Sequence, residues 1–367
     1  MRILFDHQVF SLQNAGGASR YHYELMRYLA SVPGVQADLF LGVHGCVFPF
    51  EELPQERICI TRLGGSLRPG VARYIVNELF GNVRLVAKRV DVYHPTLYRR
   101  MPLVRARRIV VTHHDCVHER FPSLFRNVKQ ILRAKRRLYA RADAIICVSE
   151  SSRKDLLEFY DVDAAKTRVI YHGLHRLPAS ATNPARLRPP LPKEYLLFVG
   201  SRAPYKNFDN LLRAFRATGL HKSMQLLVVG GGPLTRTERE LAQKLEVVGR
   251  LVVFPRPADE LLAEAYTAAN LLVYPSRYEG FGFPPLEAMA AGCPTLVSNT
   301  SSLPEICRDA PFYFDPKDQG SLEAMLLEAT HDEKARRLAR ERGTQVAAQY
   351  SWQTCGEQTL ALYRECQ

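Results

Sequence analysis

Short runs of Val, Ile and Leu recur down this chain with no polar residue alternating through them, and that pattern constrains the fold most. Examples are RIVVTHHD (108–115), DAIICVSE (143–150), RVIYHG (168–173), EYLLFVGS (194–201), MQLLVVGGG (224–232), RLVVFP (250–255) and NLLVYPS (270–276). A strand with one face in water alternates apolar and polar residues, whereas a strand covered on both faces does not. Helix-like stretches lie between these runs, among them SRYHYELMRYLASV (19–32), NFDNLLRAFRATG (207–219) and ADELLAEAYTAA (258–269). Continuous strands separated by helices imply parallel sheets with helices on both faces. The expected fold class is α/β.

The chain has 367 residues, enough for two cores. The periodic pattern breaks at LPASATNPARLRPPLPK (177–193), whose prolines and small residues suit an exposed linker. The expected organisation is a Rossmann-like domain over 1–176, a linker over 177–193, a second Rossmann-like domain over 194–349, and a final segment over 350–367. That last segment reads as a helix with the only tryptophan, Trp352, near its start. The opening MRILFDHQVF has too short an apolar part for a signal peptide and reads as a first strand. No apolar run approaches the ~18 residues that cross a bilayer. The eight cysteines are scattered without metal-finger or C-x-x-C spacing, so they are expected to be reduced, in a cytoplasmic protein.

Charge is distributed unevenly. Residues 1–180 hold 28 Lys and Arg against 16 Asp and Glu, a net of +12 out of the whole chain's +13. The densest stretch, RNVKQILRAKRRLYARA (126–142), is helix-compatible and sets Lys129, Arg133, Arg136 and Arg137 close to one face. Such a face is solvated, or attracts anionic lipid head groups, or binds nucleic acid. No nucleic-acid module accompanies it, and no nucleic-acid partner is expected.

In open α/β sheets, ligands sit beyond the carboxyl ends of the strands. Polar residues collect at those places here. Gly16 and Gly17 open the helix after the first strand, and His113, His114 and Asp115 follow RIVVT. Arg202 and Lys206 follow EYLLFVGS, and RYEGFGFPPLEAMAAG (277–292) follows NLLVYPS. In that last segment Glu279 lies in a glycine-rich turn and Glu287 on a helix that starts near Pro284 and Pro285, where proline is well tolerated. Gly280 and Gly282 let backbone N–H groups approach a ligand, and the helix N-terminus adds partial positive charge. Carboxylates accept hydrogen bonds from sugar hydroxyls, and backbone N–H groups donate to phosphoryl oxygens. The plainer alternative is a helix cap with two solvated glutamates. Arg202 and Lys206 suit the countercharge of a diphosphate, or are two surface cations. Gly230–Gly232 make either a tight turn or a ligand contact, and Glu305 either a helix cap or a site residue.

Taken together, these residues resemble the retaining glycosyltransferases of family 4, which have the GT-B fold. The resemblance runs through FDHQVFSLQNAGGASRYHYEL, VTHHD, ICVSESSRKDL, IYHG, GSRAPYKN, VVGGGP, YPSRYEGFGFPPLEAMAAGCP, SSLPEI and YSW, in order and in matching context. It implies two facing Rossmann-like domains, the first for the acceptor and the second for the nucleotide sugar, with a C-terminal helix crossing back to the first. It also implies that Glu279 and the backbone N–H groups of Gly280, Phe281 and Gly282 hold the transferred sugar. Glu287 would hold the ribose, Arg202 and Lys206 the diphosphate, and Gly16 and Gly17 the diphosphate from the other domain. His114 matches the family's histidine near the sugar. The base would be selected by a loop such as FPRP (254–257).

The donor the resemblance favours is GDP-mannose, with UDP-sugars close behind. The expected acceptor is a glycan or lipid-linked molecule in polysaccharide or lipopolysaccharide synthesis, at the inner face of a membrane. The nucleotide sugar is a co-substrate, and no separate cofactor or metal is expected. Asp161-Val162-Asp163 spells the metal signature of another glycosyltransferase fold, but it lies far in sequence from the donor motifs. Two other classes remain open at this level: a nicotinamide-dependent Rossmann enzyme, and a catalytically silent sugar-nucleotide-binding partner subunit.

Overall fold

The computed structural model describes residues 1–54, 58–62, 70–85, 89–98, 104–174, 191–255 and 258–366. Most of the expected linker, together with Arg99, Arg100, Arg256 and Pro257, lies outside the described residues. The chain divides into two compact units, Met1–Gly173 with Ser351–Gln367, and Leu174–Tyr350.

The first unit holds seven strands: β1 (Arg2–Phe5), β2 (Gln36–Gly42), β3 (Ile58–Arg62), β4 (Arg89–His94), β5 (Arg105–His113), β6 (Ala144–Cys147) and β7 (Thr167–Val169). All pair in parallel, in the order β3-β2-β1-β4-β5-β6-β7. The second unit holds β8 (Tyr195–Val199), β9 (Gln225–Val229), β10 (Leu251–Phe254), β11 (Leu271–Tyr274), β12 (Thr295–Ser298) and β13 (Phe312–Phe314). These are also parallel, in the order β10-β9-β8-β11-β12-β13. The α/β fold class therefore holds for both halves.

The continuous apolar runs explain the layers. In β8, Leu196 and Phe198 join one core cluster while Tyr195, Leu197 and Val199 join another. Successive side chains point to opposite faces of a strand, so each sheet face has its own dry core. The strands that the sequence hides are hidden for physical reasons. β2 begins Gln-Ala-Asp, and the fully buried Asp38 pairs with Arg2 at 2.8 Å. β13 has three residues, too few to show a period.

Each strand order reverses once, between β1 and β4 and between β8 and β11. At such a point the two neighbouring connections leave in opposite directions, opening a crevice past the carboxyl ends of the strands.

The last helix, Trp352–Glu365, belongs to the first unit, where it packs on the helix Gly17–Ser31. Ser351 caps it, its hydroxyl accepting from the N–H groups of Gln353 and Thr354. Two glycines permit the close approach. A Cβ on Gly173 would fall 2.1 Å from the backbone nitrogen of Trp352, and one on Gly356 would fall 2.3 Å from the ring of Tyr28. The IYHG and YSW motifs are thus two sides of one contact.

Beside that contact lies a buried imidazole cluster. His22, His94, His114 and His172 surround the ring of Tyr21, with centroids 4.8, 6.4, 5.6 and 4.6 Å away. His94 Nδ1 meets the Tyr363 hydroxyl at 2.5 Å, and His94 Nε2 meets Thr112 Oγ1 at 2.8 Å. Burial, followed by the neighbouring imidazoles, holds His22 and His172 well below the ordinary histidine value of 6.5. Burial likewise lowers His94 to about 3 and His114 to about 4, with the Asp115 carboxylate opposing the shift at His114.

These shifts give the unit a pH dependence. Below pH 6.5 the unfolded chain protonates these histidines while the folded chain keeps them neutral. The unfolded state then binds more protons, so stability is full above the unfolded value and is lost as pH falls toward about 4 and then about 3. Each imidazole withdrawn from protonation contributes up to about 1.4 kcal/mol per pH unit. The urea midpoint should therefore fall steeply between pH 7 and pH 5, above the range where most carboxylates titrate. A His22→Phe variant should show a shallower fall, and equal slopes in the two proteins would remove His22 from the account.

Candidate functional site

The crevice of the second unit lies where β8 and β11 end side by side. The turn after β8 carries Lys206, and the turn after β11 carries Glu279. Lys206 Nζ lies 2.5 Å from Glu279 Oε1 and 3.1 Å from the Tyr274 hydroxyl. Both side chains of the pair are largely buried, 13% and 12% exposed. The ammonium also stands 5.4 Å from the ring centroids of both Tyr205 and Tyr274. Burial, then the charge of Glu279 and a hydrogen bond to it, push the Tyr274 phenol well above its ordinary range. A cation and a carboxylate thus share one small, poorly solvated place at the sheet's reversal point.

Lys206 is presented by a local device. The residues Pro204–Lys206 form a single 3-10 turn, and Asn207 then takes a left-handed conformation (φ 62°) to start the helix Phe208–Ala217. Asparagine tolerates that region better than most residues.

Glu279 sits in a turn held from beneath by the next connection. Ser301 Oγ accepts from Glu279 N at 2.9 Å. Ser302 Oγ donates to the carbonyls of Glu279 and Phe281 at 3.0 and 2.9 Å. Gly282 has φ +107°, and a Cβ there would meet Leu303 at 2.8 Å. The helix Phe283–Ala290 begins directly after it, with both prolines in its first turn. Phe281 turns its side chain into the interior against Phe283 and Tyr350. Glu287 lies one helical stretch further on and accepts from the Tyr266 hydroxyl at 2.9 Å. Burial and that carboxylate raise the Tyr266 phenol.

Arg202 sits in the connection after β8 and bonds the neighbouring glycine loop. Its guanidinium, only 2% exposed, bonds Glu238 Oε1 at 2.9 Å and the Gly230 carbonyl at 2.9 Å. It further reaches the carbonyls of Gly231, Gly232 and Pro233 at 3.4, 3.0 and 2.7 Å. The expected partner of Lys206 is therefore committed to the glycine loop after β9. Lys206 and Glu279 are brought together; Arg202 is not brought to them.

The remaining expected residues lie in the first unit. Gly16 and Gly17 are exposed at the start of the helix Gly17–Ser31, which has no side-chain cap. Its first N–H groups form an anion-attracting end. His113 closes β5 inside the core, with Nδ1 2.7 Å from the Tyr139 hydroxyl. His114 comes one residue past the strand, its N–H donating to the Tyr98 hydroxyl at 2.8 Å, and its Nε2 is buried without a hydrogen-bond partner. Asp163 caps a turn by accepting from Ala165 N at 2.9 Å. Among the described residues, no group of three or more His, Cys, Asp or Glu is arranged to hold a metal ion.

Sequence reasoning missed Tyr266, Tyr274, Ser302 and Glu238. A tyrosine at the end of an apolar strand reads as core, so Tyr274 gave no signal. Glu238 did give one, because Thr-Arg-Thr-Glu (235–238) is a capping box, and the structure shows both of its reciprocal bonds.

Comparison with known proteins agrees with this geometry. Residues 180–346 match the family described as glycosyl transferases group 1, and residues 15–176 match glycosyltransferase family 4. The O-antigen chain mannosyltransferase B of Escherichia coli is 32% identical over 288 residues, covering 74% of each chain. The O-antigen chain mannosyltransferase RfbU of Salmonella typhimurium is 25% identical over 247 residues, covering 67% of this chain and 65% of that protein. Among solved structures, WaaG, a glycosyltransferase involved in lipopolysaccharide biosynthesis, superposes with a TM-score of 0.76 at 17% identity, over 97% of this chain and 98% of that one. HepE of Anabaena in complex with UDP-glucose gives 0.75 at 19% identity, over 98% and 99%. Two parallel α/β units, a lysine–glutamate pair where the second sheet reverses, and these matches over both halves place the chain in glycosyltransferase family 4, among the group 1 enzymes with the GT-B fold.

Proposed function

We propose that this glycosyltransferase moves a hexose, with mannose favoured, from a nucleotide-diphosphate sugar to a glycan or lipid-linked acceptor in O-antigen or lipopolysaccharide synthesis. The Lys206–Glu279 pair carries the reading. A donor presents a diphosphate and a ring of hydroxyls next to each other, and the pair presents a cation and a carboxylate at 2.5 Å. On binding, the ion pair is exchanged: phosphoryl oxygens take the ammonium, and sugar hydroxyls donate to Glu279. The N–H groups of Gly280, Phe281 and Gly282 complete the sugar contact, and Glu287 accepts the ribose hydroxyls. Exposed N–H groups at Gly16 and Gly17 suit phosphoryl oxygens, and His114 suits the sugar. GDP-mannose is the favoured donor because two relatives are named as mannosyltransferases; UDP-sugars come second.

The proposed chemistry retains the anomeric configuration by front-face attack. The acceptor oxygen bonds the anomeric carbon on the side from which the diphosphate departs. The carbon–oxygen bond to the diphosphate breaks, and a donor phosphate oxygen takes the acceptor's proton. Negative charge grows on the diphosphate as it leaves, so Lys206 is needed more at the transition state than before it.

Lys206→Ala should lower turnover at saturating donor by on the order of 100-fold, corresponding to ~3 kcal/mol for one lost electrostatic contact. Glu287→Ala should instead raise KM for the donor more than it lowers kcat, because ribose contacts are alike in ground and transition states. Steady-state kinetics on a panel of nucleotide sugars tests both. An unchanged rate in the lysine variant rejects its role, and inversion seen by NMR of the product rejects front-face attack.

The proposal extends to the inner face of a membrane. Among the described residues no helix is long and apolar enough to span one. The helix Val128–Arg141 exposes Lys129, Arg133, Arg136 and Arg137, while Lys135 turns inward to Glu119 at 2.9 Å. The helix Gly70–Leu85 exposes Ile75, Leu79 and Phe80 along one side, Leu79 to 67%. Both helices join strands that step the same way across the sheet, and right-handed crossovers set them on the same face. Cations beside exposed apolar side chains suit anionic lipid. Co-sedimentation with anionic liposomes should be strong at low salt, weaker at high salt, and poor with neutral liposomes. Equal recovery in all conditions would make the basic face a solvated surface.

A further inference from the structure

We infer that Lys135 is a positioning residue: from the inner face of the basic helix it holds the His114–Asp115 connection, and with it the imidazole proposed to meet the transferred sugar. The functional consequence rests on the reading of His114 given above. The hold itself rests on geometry within the first unit.

The helix Val128–Arg141 turns Lys135, Leu138 and Tyr139 to the interior, the i, i+3 and i+4 positions of one face. Leucine and tyrosine are what an inner face calls for, and a lysine is not. Its side chain is 0% exposed, while Arg136 and Arg137 beside it lie at the surface. An ammonium has three N–H donors, and three acceptor atoms stand around this one. Lys135 Nζ lies 2.9 Å from Glu119 Oε1, 3.1 Å from Glu119 Oε2 and 2.9 Å from the Asp115 carbonyl oxygen.

The carboxylate end is anchored as well. Glu119, 4% exposed, lies in the short helix Val117–Arg120 directly after the connection, and its Oε1 also accepts from the Tyr160 hydroxyl. A buried ion pair contributes little net stability, because desolvation offsets much of the attraction. What this pair adds is a fixed point for the one neutral acceptor that it includes, the Asp115 carbonyl.

That carbonyl belongs to a connection gripped residue by residue. His113 Nδ1 meets the Tyr139 hydroxyl at 2.7 Å, and His114 N donates to the Tyr98 hydroxyl at 2.8 Å. Asp115 Oδ1 accepts from Val117 N at 3.0 Å. The Tyr98 ring centroid lies 5.0 Å from the Lys135 ammonium, so the lysine backs both the phenol that holds His114 N and the carbonyl of the next residue. His114 Nε2 is buried without a hydrogen-bond partner, an arrangement that costs free energy and persists only where the surroundings fix the ring. The grip on both sides of His114 keeps that imidazole in place for the sugar that the donor reading assigns to it.

Lys135→Met alone would strand the Glu119 carboxylate in the interior and destabilise the unit. The test therefore uses the double variant Lys135→Met/Glu119→Gln, which removes both charges and leaves an acceptor for Tyr160. Its thermal midpoint should stay close to that of the wild type. With the donor that the wild type turns over best, kcat should fall by on the order of 10-fold, as for a slightly misplaced contact. Affinity for GDP and UDP, which carry no sugar, should be unchanged. In a His114→Ala background the same two substitutions should cost nothing further, because their effect runs through the imidazole. Hydrogen exchange without donor supplies an independent readout: peptides spanning 113–121 should exchange faster in the double variant than in the wild type. Wild-type turnover, a matching fall in nucleoside diphosphate affinity, a full additional loss on top of His114→Ala, or unchanged exchange would each overturn the inference. Wild-type turnover in His114→Ala alone, or a wild type that turns over no nucleotide sugar, would instead sink the reading of His114 or of the donor, leaving the exchange measurement to decide the hold.

Discussion

A parallel sheet covered on both faces has nowhere to put a polar side chain except beyond its strand ends, and the rest of this molecule follows from that constraint. Interior strand positions in the second unit are mostly Leu, Val, Phe and Tyr, and its two core clusters lie on opposite sides of one sheet. Lysine, arginine, glutamate and serine therefore collect in the connections. Because every strand runs the same way, half of those connections lie along one edge. The strand order decides which of them have room between them. Lys206 and Glu279 meet because their turns flank the one place where the order reverses.

The two units solve the burial of polar groups differently. Among the described residues the second buries fewer of them, and its Lys206–Glu279 pair lies in the turns. The first buries the imidazoles of His7, His22, His94, His113 and His172, several phenols and the Lys135–Glu119 pair. Several of those groups bond one another, as in the chain from Tyr21 through Thr112 and His94 to Tyr363. Such networks specify a packing arrangement closely, because a misplaced member leaves its partners unsatisfied.

Much of this was legible in the sequence, and the residues show why. Strands such as EYLLFVGS and NLLVYPS betray themselves by unbroken apolar runs, and prolines 284 and 285 mark a helix start that the structure has. The segment QADLFLG did not read as a strand because its buried Asp38 pairs with Arg2, 36 residues away. Among site residues, Glu279 and Lys206 were readable as a carboxylate and a cation at strand ends. The direction of Arg202 was not, since an arginine three residues past a strand looks the same whether it faces a ligand or a neighbouring turn. What betrays it is remote: three glycines at 230–232 and the capping-box glutamate at 238, none informative until the loops are seen together. Serines 301 and 302 carried no readable role, because a serine beneath a turn resembles any other loop serine.

The assignment of residues 351–367 to the first unit has a consequence for how the protein is made. Synthesis delivers domains from the N-terminus onward, and ordinarily the first can finish folding while the second is still emerging. Here the first sheet is complete early, but the helix that covers Tyr28, Trp352's contact with Gly173, and the Tyr363 partner of His94 leave the ribosome only after the whole second unit. The second unit, Leu174–Tyr350, is contiguous and has no such wait. The order of completion is thus inverted relative to the order of synthesis. A chain stalled after Tyr350 would carry a finished second unit attached to an unfinished first one, with its histidine cluster uncovered by the last helix.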